Sequence, residues 1–261
     1  MRSESDERNS FTILGSASGE PNPSRSCSGY VLQVGESLTL VDCGGGVSAS
    51  FLRCGFDPKA VKRVFISHSH PDHVCDLPLF IQMIHLSRRT NPLDIYLPDE
   101  FVVPFQIMMR AMYLIPERFA FPLSVYGYED GFEFRDSFHL KAIGNSHLQR
   151  LKYDIQRLGL ANKMQCCSFK IDVSGKSLLY SSDIGDLGDI APHMDGCNYV
   201  VTELTHVDLD EFFTFASRLG ETKFIITHLS DNSTTDELLD GAKVTGMSNL
   251  VVAEDGMTLP L

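Results

Sequence analysis

The chain has 261 residues, with 34 acidic and 22 basic side chains and a net charge of −12, and its composition is typical of a globular protein. A net negative field repels polyanions, so the sequence disfavours nucleic acid as the main partner. No apolar run reaches the roughly 18 residues of a membrane span, and the polar start lacks the apolar core of a signal peptide. We therefore predict a cytoplasmic protein with a flexible tail over residues 1–9 and a single domain over residues 10–261.

The seven cysteines include no CxxC pair. This number and spacing are typical of reduced, partly buried thiols in a cytosolic protein. Cys75 differs from the others because it lies next to a histidine cluster.

Short β-rich runs separated by turn residues predict strands in the first half of the chain, followed by helices that interrupt them. The predicted strands are 11–17, 30–34, 37–43, 63–67, 93–98, 123–127, 132–135 and 138–144, and the predicted helices are 76–88 and 99–114. The second half repeats the alternation. Its predicted strands are 167–173, 178–183, 199–204, 223–228 and 249–254, and its predicted helices are 209–220, 234–243 and a short amphipathic helix within 148–166. This order indicates an α/β protein with two sheets packed together and helices outside.

Four candidate metal ligands follow the predicted strand 63–67: His68, His70, Asp72 and His73. On an extended segment, residues i and i+2 point to the same side, so the first two imidazoles can reach one ion. Pro71 stiffens the chain, and a turn there can direct the second pair at a neighbouring point. One short loop could therefore serve two metals. The alternative is a polar surface loop that happens to be rich in histidine.

The segment SHSHPDH (67–73) resembles the HxHxDH signature of the metallo-β-lactamase superfamily. Further segments resemble motifs of the same family: 39–44, 145–147, 178–183 and 225–230. Residues 14–32 and 251–257 resemble the opening and the closing strand of its ribonuclease Z-like branch. Two positions depart from the family pattern, which often has glycine where this chain has Asp76 and Ser182.

The resemblance implies an αββα four-layer sandwich that binds two divalent metal ions. His68, His70 and His147 would hold one metal, Asp72, His73 and His228 would hold the other, and Asp183 would bridge them. Zinc is the default for imidazole and carboxylate ligands, while manganese and iron(II) stay open. His139 is the alternative to His147 as the histidine ligand of this motif. Asp42 resembles the family's buried aspartate, which supports the histidine loop from outside the coordination sphere, with a turn residue as the alternative.

The segment TELTH (202–206) stands where ribonuclease Z-like enzymes carry His-Glu-Ala-Thr. Glu203 is kept and His206 is new, and the two could form a proton-donor pair near neutral pH. The alternative is a polar cluster at the start of a helix. Asp72, Glu203 and His206 are thus the candidate catalytic residues.

These features predict a dinuclear metal-dependent hydrolase, most directly a phosphodiesterase in which a hydroxide bridging the metals attacks a small phosphodiester. Ribonuclease Z enzymes that mature tRNA carry a long arm after the third histidine motif, and residues 148–166 are too short to form it. A small-molecule substrate is therefore predicted. The alternatives are a carboxylic ester or lactone hydrolase on the same metals and a metal-bound scaffold without catalysis. A homodimer, and contacts of Cys75 or His206 with the site, are left open.

Overall fold

The computed structural model describes residues 9–20, 22–230 and 232–261, with the backbone alone for 232–237. The tail predicted over residues 1–9 thus lies outside the described residues, except for Asn9. Asn9 is buried, and its main-chain carbonyl accepts a hydrogen bond of 2.9 Å from the Leu261 N–H.

The described residues form two compact units, each built on one seven-stranded mixed sheet. Unit 1 contains the described residues of Met1–Glu129 and Glu254–Leu261, and unit 2 contains those of Asp130–Ala253. Two sheets with helices interleaved along the chain agree with the predicted α/β class. A single domain over residues 10–261 stays a prediction.

The sheet of unit 1 has the strand order β14-β1-β2-β3-β4-β5-β6. Its strands are β1 (Ser10–Gly15), β2 (Gly29–Val34), β3 (Ser37–Cys43), β4 (Val61–Phe65), β5 (Leu93–Pro98), β6 (Leu123–Tyr128) and β14 (Thr258–Pro260). β3 to β6 are parallel, whereas β14, β1, β2 and β3 pair antiparallel. β3 is buried along almost its whole length, which suits the continuous apolar run of a strand covered on both faces.

Four helices accompany this sheet: α1 (Val47–Arg53), α2 (Pro71–Val74), α3 (Leu77–Leu86) and α4 (Asp99–Ala111). α1 and α3 meet through the buried rings of Phe51 and Phe80, whose centroids lie 5.1 Å apart at 90°. The approach of α1 to the sheet requires a glycine at position 29, because a Cβ there would stand 2.3 Å from a Val47 methyl group. Close packing thus sets the position of α1, which begins just after β3.

The sheet of unit 2 has the strand order β13-β12-β11-β10-β9-β8-β7. Its strands are β7 (Glu133–Arg135), β8 (His139–Gly144), β9 (Cys167–Val173), β10 (Lys176–Tyr180), β11 (Tyr199–Thr202), β12 (Lys223–Ile226) and β13 (Leu250–Val252). β7 to β10 pair antiparallel, and β10 to β13 are parallel. β8, β10 and β12 therefore run in the same direction, and their carboxyl ends meet at one edge of this sheet.

The helices of unit 2 are α5 (Lys152–Leu158), α6 (Ala191–Met194), α7 (Leu209–Ala216) and α8 (Asn232–Thr245). The Asp208 carboxylate caps α7 by accepting a 2.9 Å hydrogen bond from the Glu211 N–H. Phe212 is fully buried and packs edge-on against Phe224 of β12, with ring centroids 5.5 Å apart. None of these helices, nor any other in the described part of the chain, has the length and apolarity needed to cross a membrane.

Several features depart from the sequence predictions. The strand predicted over 178–183 ends at Tyr180, because Ser182 has a left-handed backbone (φ 55°) that a strand does not accommodate. The apolar face predicted for the helix within 148–166 is not buried, since Leu151 and Leu158 are 39% and 57% exposed. α1 and β14 were not predicted, because each is short and lacks a clear periodic pattern.

Candidate metal centre

Unit 1 brings His68, His70, Asp72 and His73 to the carboxyl end of β4. His70 is extended (φ −62°, ψ 145°), and Pro71 begins α2, which turns the chain directly after it. The imidazoles of His68 and His70 have ring centroids 4.8 Å apart, and those of His68 and His73 are 4.2 Å apart. His68 and His73 are fully buried. An extended pair followed by a turned pair is the local geometry that the sequence predicts.

The buried Asp42 at the end of β3 holds this loop. One carboxylate oxygen accepts from the Ser67 N–H at 2.7 Å, and the other accepts from the Ser67 hydroxyl at 2.8 Å. The second oxygen also lies 2.8 Å from Nδ1 of His73. An ionised carboxylate only accepts, so Nδ1 carries the proton, and Nε2 is the His73 atom able to bind an ion.

Two further contacts fix the same loop from other strands of unit 1. The Tyr128 hydroxyl donates to the Ile66 carbonyl oxygen at 2.5 Å. A Cβ at Gly44 would stand 1.8 Å from the Asp72 carbonyl oxygen, so only glycine allows this approach of the two chain segments. The glycines after β3 are therefore part of the loop's packing as well as a turn.

Unit 2 brings His147, Asp183 and His228 together because they follow β8, β10 and β12 at the same sheet edge. Oδ2 of Asp183 lies 3.6 Å from Nε2 of His147, and Oδ1 lies 3.3 Å from Nε2 of His228. All three side chains are buried. Each oxygen of one carboxylate thus faces a different imidazole, which is the arrangement of a bridging ligand.

These spacings fit the sharing of metal ions. In unit 1, Nε2 of His73 lies 3.5 Å from Oδ2 of Asp72, a distance similar to the 3.3 and 3.6 Å between Asp183 and its two imidazoles in unit 2. These distances are longer than a normal N–H···O hydrogen bond. Two ligand atoms bound tetrahedrally at about 2.1 Å stand about 3.4 Å apart. Both clusters therefore suit divalent metal binding.

Three residues around these clusters have left-handed backbones: Asp42 (φ 56°), Ser182 (φ 55°) and His228 (φ 57°). This region costs a residue with a Cβ about 1–2 kcal/mol, and such strain often accompanies functional sites. At Ser182 the geometry explains why glycine is common at this position of the family. The other departure, Asp76, has its own structural role, because its carboxylate accepts from the Ser48 N–H at 2.7 Å.

Glu203 is buried and pairs with the half-buried His206 beside the unit 2 cluster. Nδ1 of His206 lies 2.6 Å from Oε1 of Glu203, and the hydrogen bond to this carboxylate is the main cause that raises the pKa of His206. Glu203 is fully buried and also accepts from the Ile184, Thr205 and His206 N–H groups. It therefore ties the loop after β10 to the loop after β11. The His206 ring lies 5.1 Å from that of His147.

Arg150 is the neighbour of this pair that the sequence did not single out. Its Nη1 lies 3.0 Å from Nε2 of His206. A guanidinium only donates, so Nε2 is the acceptor in this arrangement and the ring proton is on the Glu203 side. The sequence signal for the Arg150–His206 contact was the basic character of residues 148–166, and this character does not specify which residue Arg150 contacts.

His139 and Cys75 are not among the side chains grouped closely enough to share an ion. His139, the rival of His147, is at the start of β8 and contacts Asp172 and Glu133 at 3.3 and 3.4 Å. Cys75 is exposed as a residue. Its sulfur is only partly shielded from water, and this partial burial is the main cause that raises the pKa of the thiol. All seven cysteines are free thiols, as predicted.

We expect Asp42→Ala to lower the free energy of unfolding of the metal-free protein by about 3 kcal/mol, because it leaves buried donors of Ser67 and His73 without an acceptor. Asp42→Asn should lower the free energy of unfolding less, because asparagine still accepts from the Ser67 N–H and tolerates a left-handed backbone. Denaturant unfolding measures both. The exposed Asp195→Ala should stay within about 0.5 kcal/mol of the parent. Equal stability of Asp42→Ala and Asp195→Ala would contradict a holding role for Asp42.

Comparison with known proteins finds related sequences over part of the chain and a shared fold over nearly all of it. The metallo-beta-lactamase superfamily profile matches residues 23–149. Ribonuclease Z of Synechococcus sp. (strain CC9311) is 35% identical over 117 residues, which are 44% of this chain and 36% of that protein. The matched part thus spans little more than a third of this curated relative.

The prediction that nucleic acid is disfavoured as a partner is contradicted by these relatives, which are named as ribonucleases. The inference from net charge was wrong because a net charge of −12 describes the whole chain and not the field at one surface. Residues 148–166 carry four basic side chains and one acidic side chain.

Solved structures agree over nearly the whole chain. The metallo-beta-lactamase fold protein YhfI from Bacillus subtilis has a TM-score of 0.76 at 20% identity, covering 97% of this chain and 99% of that one. The short form of human tRNase Z has a TM-score of 0.70 at 21% identity, covering 96% and 98%. The predicted α/β fold is therefore confirmed, and residues 23–149 of the chain are similar to the metallo-beta-lactamase superfamily.

Proposed function

We propose that the protein is a metal-dependent hydrolase that cleaves phosphodiester bonds. The observation that carries the proposal is the Asp183 carboxylate, whose two oxygens each face a different imidazole at 3.3 and 3.6 Å. One buried carboxylate placed in this way suits a two-metal hydrolytic site better than a closed structural site. The name ribonuclease Z of the sequence relatives supports a phosphodiester as the bond that is cleaved.

The ligand assignment stays the one that the family resemblance implies. One ion would be held by His68, His70 and His147, the other by Asp72, His73 and His228, with Asp183 shared. Zinc suits these imidazole and carboxylate donors, as do manganese and iron(II). Bound ions would supply Lewis acidity and lower the pKa of a coordinated water.

The protein's own residues would orient these ligands and manage the proton of the leaving group. Asp42 fixes the His73 tautomer, and Glu203 holds the His206 ring at 2.6 Å. A protonated His206 could donate from Nε2 to a departing alkoxide, provided that Arg150 is drawn away by a substrate phosphate. Glu203 favours this by raising the pKa of His206. Asp72 stays a candidate both as a ligand and as a catalytic carboxylate.

RNA is the substrate class that we propose first, because the relatives are ribonucleases. The finer expectation of a small phosphodiester rests on the short segment 148–166. Hydrolysis of a carboxylic ester or a lactone is the other enzymatic alternative, and a scaffold without catalysis is the non-enzymatic one. We also propose a cytoplasmic location and zinc as the native metal.

The proposed function is tested with four substrates: bis(p-nitrophenyl) phosphate, RNA with a short 3′ extension, p-nitrophenyl acetate and a lactone. We expect hydrolysis of the phosphodiesters, loss of activity with EDTA and recovery when Zn²⁺ or Mn²⁺ is added back, because the ions supply the activated water. Cleavage of the small diester without RNA would restrict the function to small phosphodiesters. Turnover of only the acetate or the lactone would refute the proposal.

Asp183→Ala should reduce bound metal below the two ions per chain that we expect for the parent. Its phosphodiesterase rate should fall by more than roughly 10²-fold. Mutation of a residue that only hydrogen-bonds to a metal ligand already lowers metal affinity or activity by 10–100-fold. Elemental analysis and the diester assay measure the two effects. Cys75→Ala is the matched control, because it lies in the same loop as the unit 1 ligands and should change neither quantity. Full metal content in Asp183→Ala would exclude it as a shared ligand.

His206→Ala separates proton donation from binding. An alkoxide leaves poorly without a proton, so the variant should cleave an alkyl phosphodiester at least about 10²-fold more slowly, while a nitrophenyl diester should be slowed much less. Metal content should be unchanged. A loss of one ion would instead make His206 a ligand, and equal slowing of both substrates would make it a binding or structural residue.

A further inference from the structure

Two thiols of unit 1 border the same small space beside Gly45. A Cβ at Gly45 would lie 3.6 Å from the Cys27 sulfur and 3.7 Å from the Cys75 sulfur. Cys75 is exposed and Cys27 is half-buried, and both are free thiols. Burial is the main cause that raises the pKa of the Cys75 thiol, and the charge of Cys27 is the next. The two sulfurs are therefore neighbours at the surface.

Hydrogen bonds anchor both cysteines to the end of β3 and the turn after it. The Cys27 N–H donates to the Gly45 carbonyl oxygen at 2.9 Å. The Asp76 N–H donates to the Cys43 carbonyl oxygen at 3.0 Å. Since Cys75 directly precedes Asp76, its main chain is held at the same place. The folded backbone thus keeps the two cysteines side by side.

Cys75 also ends the helix that carries two of the candidate metal ligands. α2 is a single turn, in which the Cys75 N–H donates to the Pro71 carbonyl oxygen at 2.8 Å. Asp72 and His73 lie within this turn. Burial and then the charge of Asp72 are the main causes that raise the pKa of Cys27, so this thiol also lies near the ligand loop. A covalent link between the two sulfurs would therefore act directly on α2.

We propose that Cys27 and Cys75 are a modification site at which a peroxide forms a disulfide, and that this disulfide weakens metal binding by α2. The exposed Cys75 sulfur attacks the peroxide, the O–O bond breaks, and a sulfenic acid forms while water or an alcohol leaves with the thiol proton. The Cys27 sulfur then attacks the Cys75 sulfur. The S–S bond forms, the S–O bond breaks, and a water leaves with the second thiol proton. In total, two electrons pass from the two thiols to the peroxide.

Closure of the disulfide requires movement, because its sulfurs stand only about 2.05 Å apart. Cys27 is bonded to the turn that follows the buried strand β3, whereas Cys75 ends a helix of one turn. We therefore expect α2 to shift, which turns its two ligands away from the ion. The effect on metal binding rests on the proposed function, whereas the formation of the disulfide does not.

The test uses the full chain, reduced and loaded with Zn²⁺. The raised pKa keeps both thiols protonated near neutral pH, so the reaction is slow and the protein is incubated for hours with excess hydrogen peroxide. Peptide mass mapping without reduction should find Cys27 linked to Cys75. A chelator competition should show zinc bound about 10-fold more weakly, or less tightly still, because ligand orientation is worth at least this factor. Dithiothreitol should reverse both changes.

The variants Cys27→Ser and Cys75→Ser should form no such link and should keep their zinc affinity under peroxide. Cys54→Ser is the matched control, since it removes another partly exposed thiol of unit 1 and should respond to peroxide as the parent does. The proposal is overturned if the parent forms no link between Cys27 and Cys75, or if the linked protein binds zinc as the reduced protein does. It is also overturned if peroxide weakens zinc binding equally in Cys27→Ser and Cys75→Ser.

The same measurements distinguish this proposal from the proposed function. A parent that binds metal and hydrolyses bis(p-nitrophenyl) phosphate, but forms no link with peroxide, leaves the hydrolase standing and removes the modification site. A reduced parent that forms the link but binds no metal removes both the hydrolase and the effect on metal binding, and it leaves the disulfide standing.

Discussion

The Asp42 carboxylate, buried at the end of β3, is the constraint on which the histidine loop of unit 1 depends. Its two oxygens accept from the Ser67 N–H, the Ser67 hydroxyl and Nδ1 of His73. A buried carboxylate is stable only when such donors surround it, so the loop and the carboxylate stabilise each other. The same contacts select the His73 tautomer in which Nε2 can bind an ion. Local folding and ligand orientation are therefore achieved by one group.

Unit 2 reaches a comparable arrangement by strand direction. Because β8, β10 and β12 run the same way, residues separated by more than 30 positions in sequence meet at one sheet edge. Glu203 performs a task similar to that of Asp42, since it joins two loops of that edge and orients His206. In both units a buried carboxylate accepts several hydrogen bonds and orients an imidazole.

Charge has to be considered locally in this protein. The acidic total predicted that polyanions are repelled, and the ribonuclease relatives contradict that prediction. Four cations within residues 148–166 lie on a segment without buried residues in its helix, and the first of them contacts His206. A net charge sums over the whole chain, whereas a bound polyanion responds mainly to the charges within a Debye length.

The sequence by itself indicated the family resemblance, most strands and the identity of the candidate ligands. SHSHPDH is a dense local pattern, and runs such as 37–43 and 167–173 match β3 and β9 residue for residue, because apolar periodicity and turn residues are local properties. The end of β10 was misplaced because the left-handed backbone at Ser182 arises from its loop contacts, not from serine itself. Likewise, the contact between Arg150 and His206 and the exposed face of α5 were decided only by tertiary structure. They depend on which strand ends are neighbours, and distances between residues far apart in the chain are set by sheet order, which no local pattern encodes.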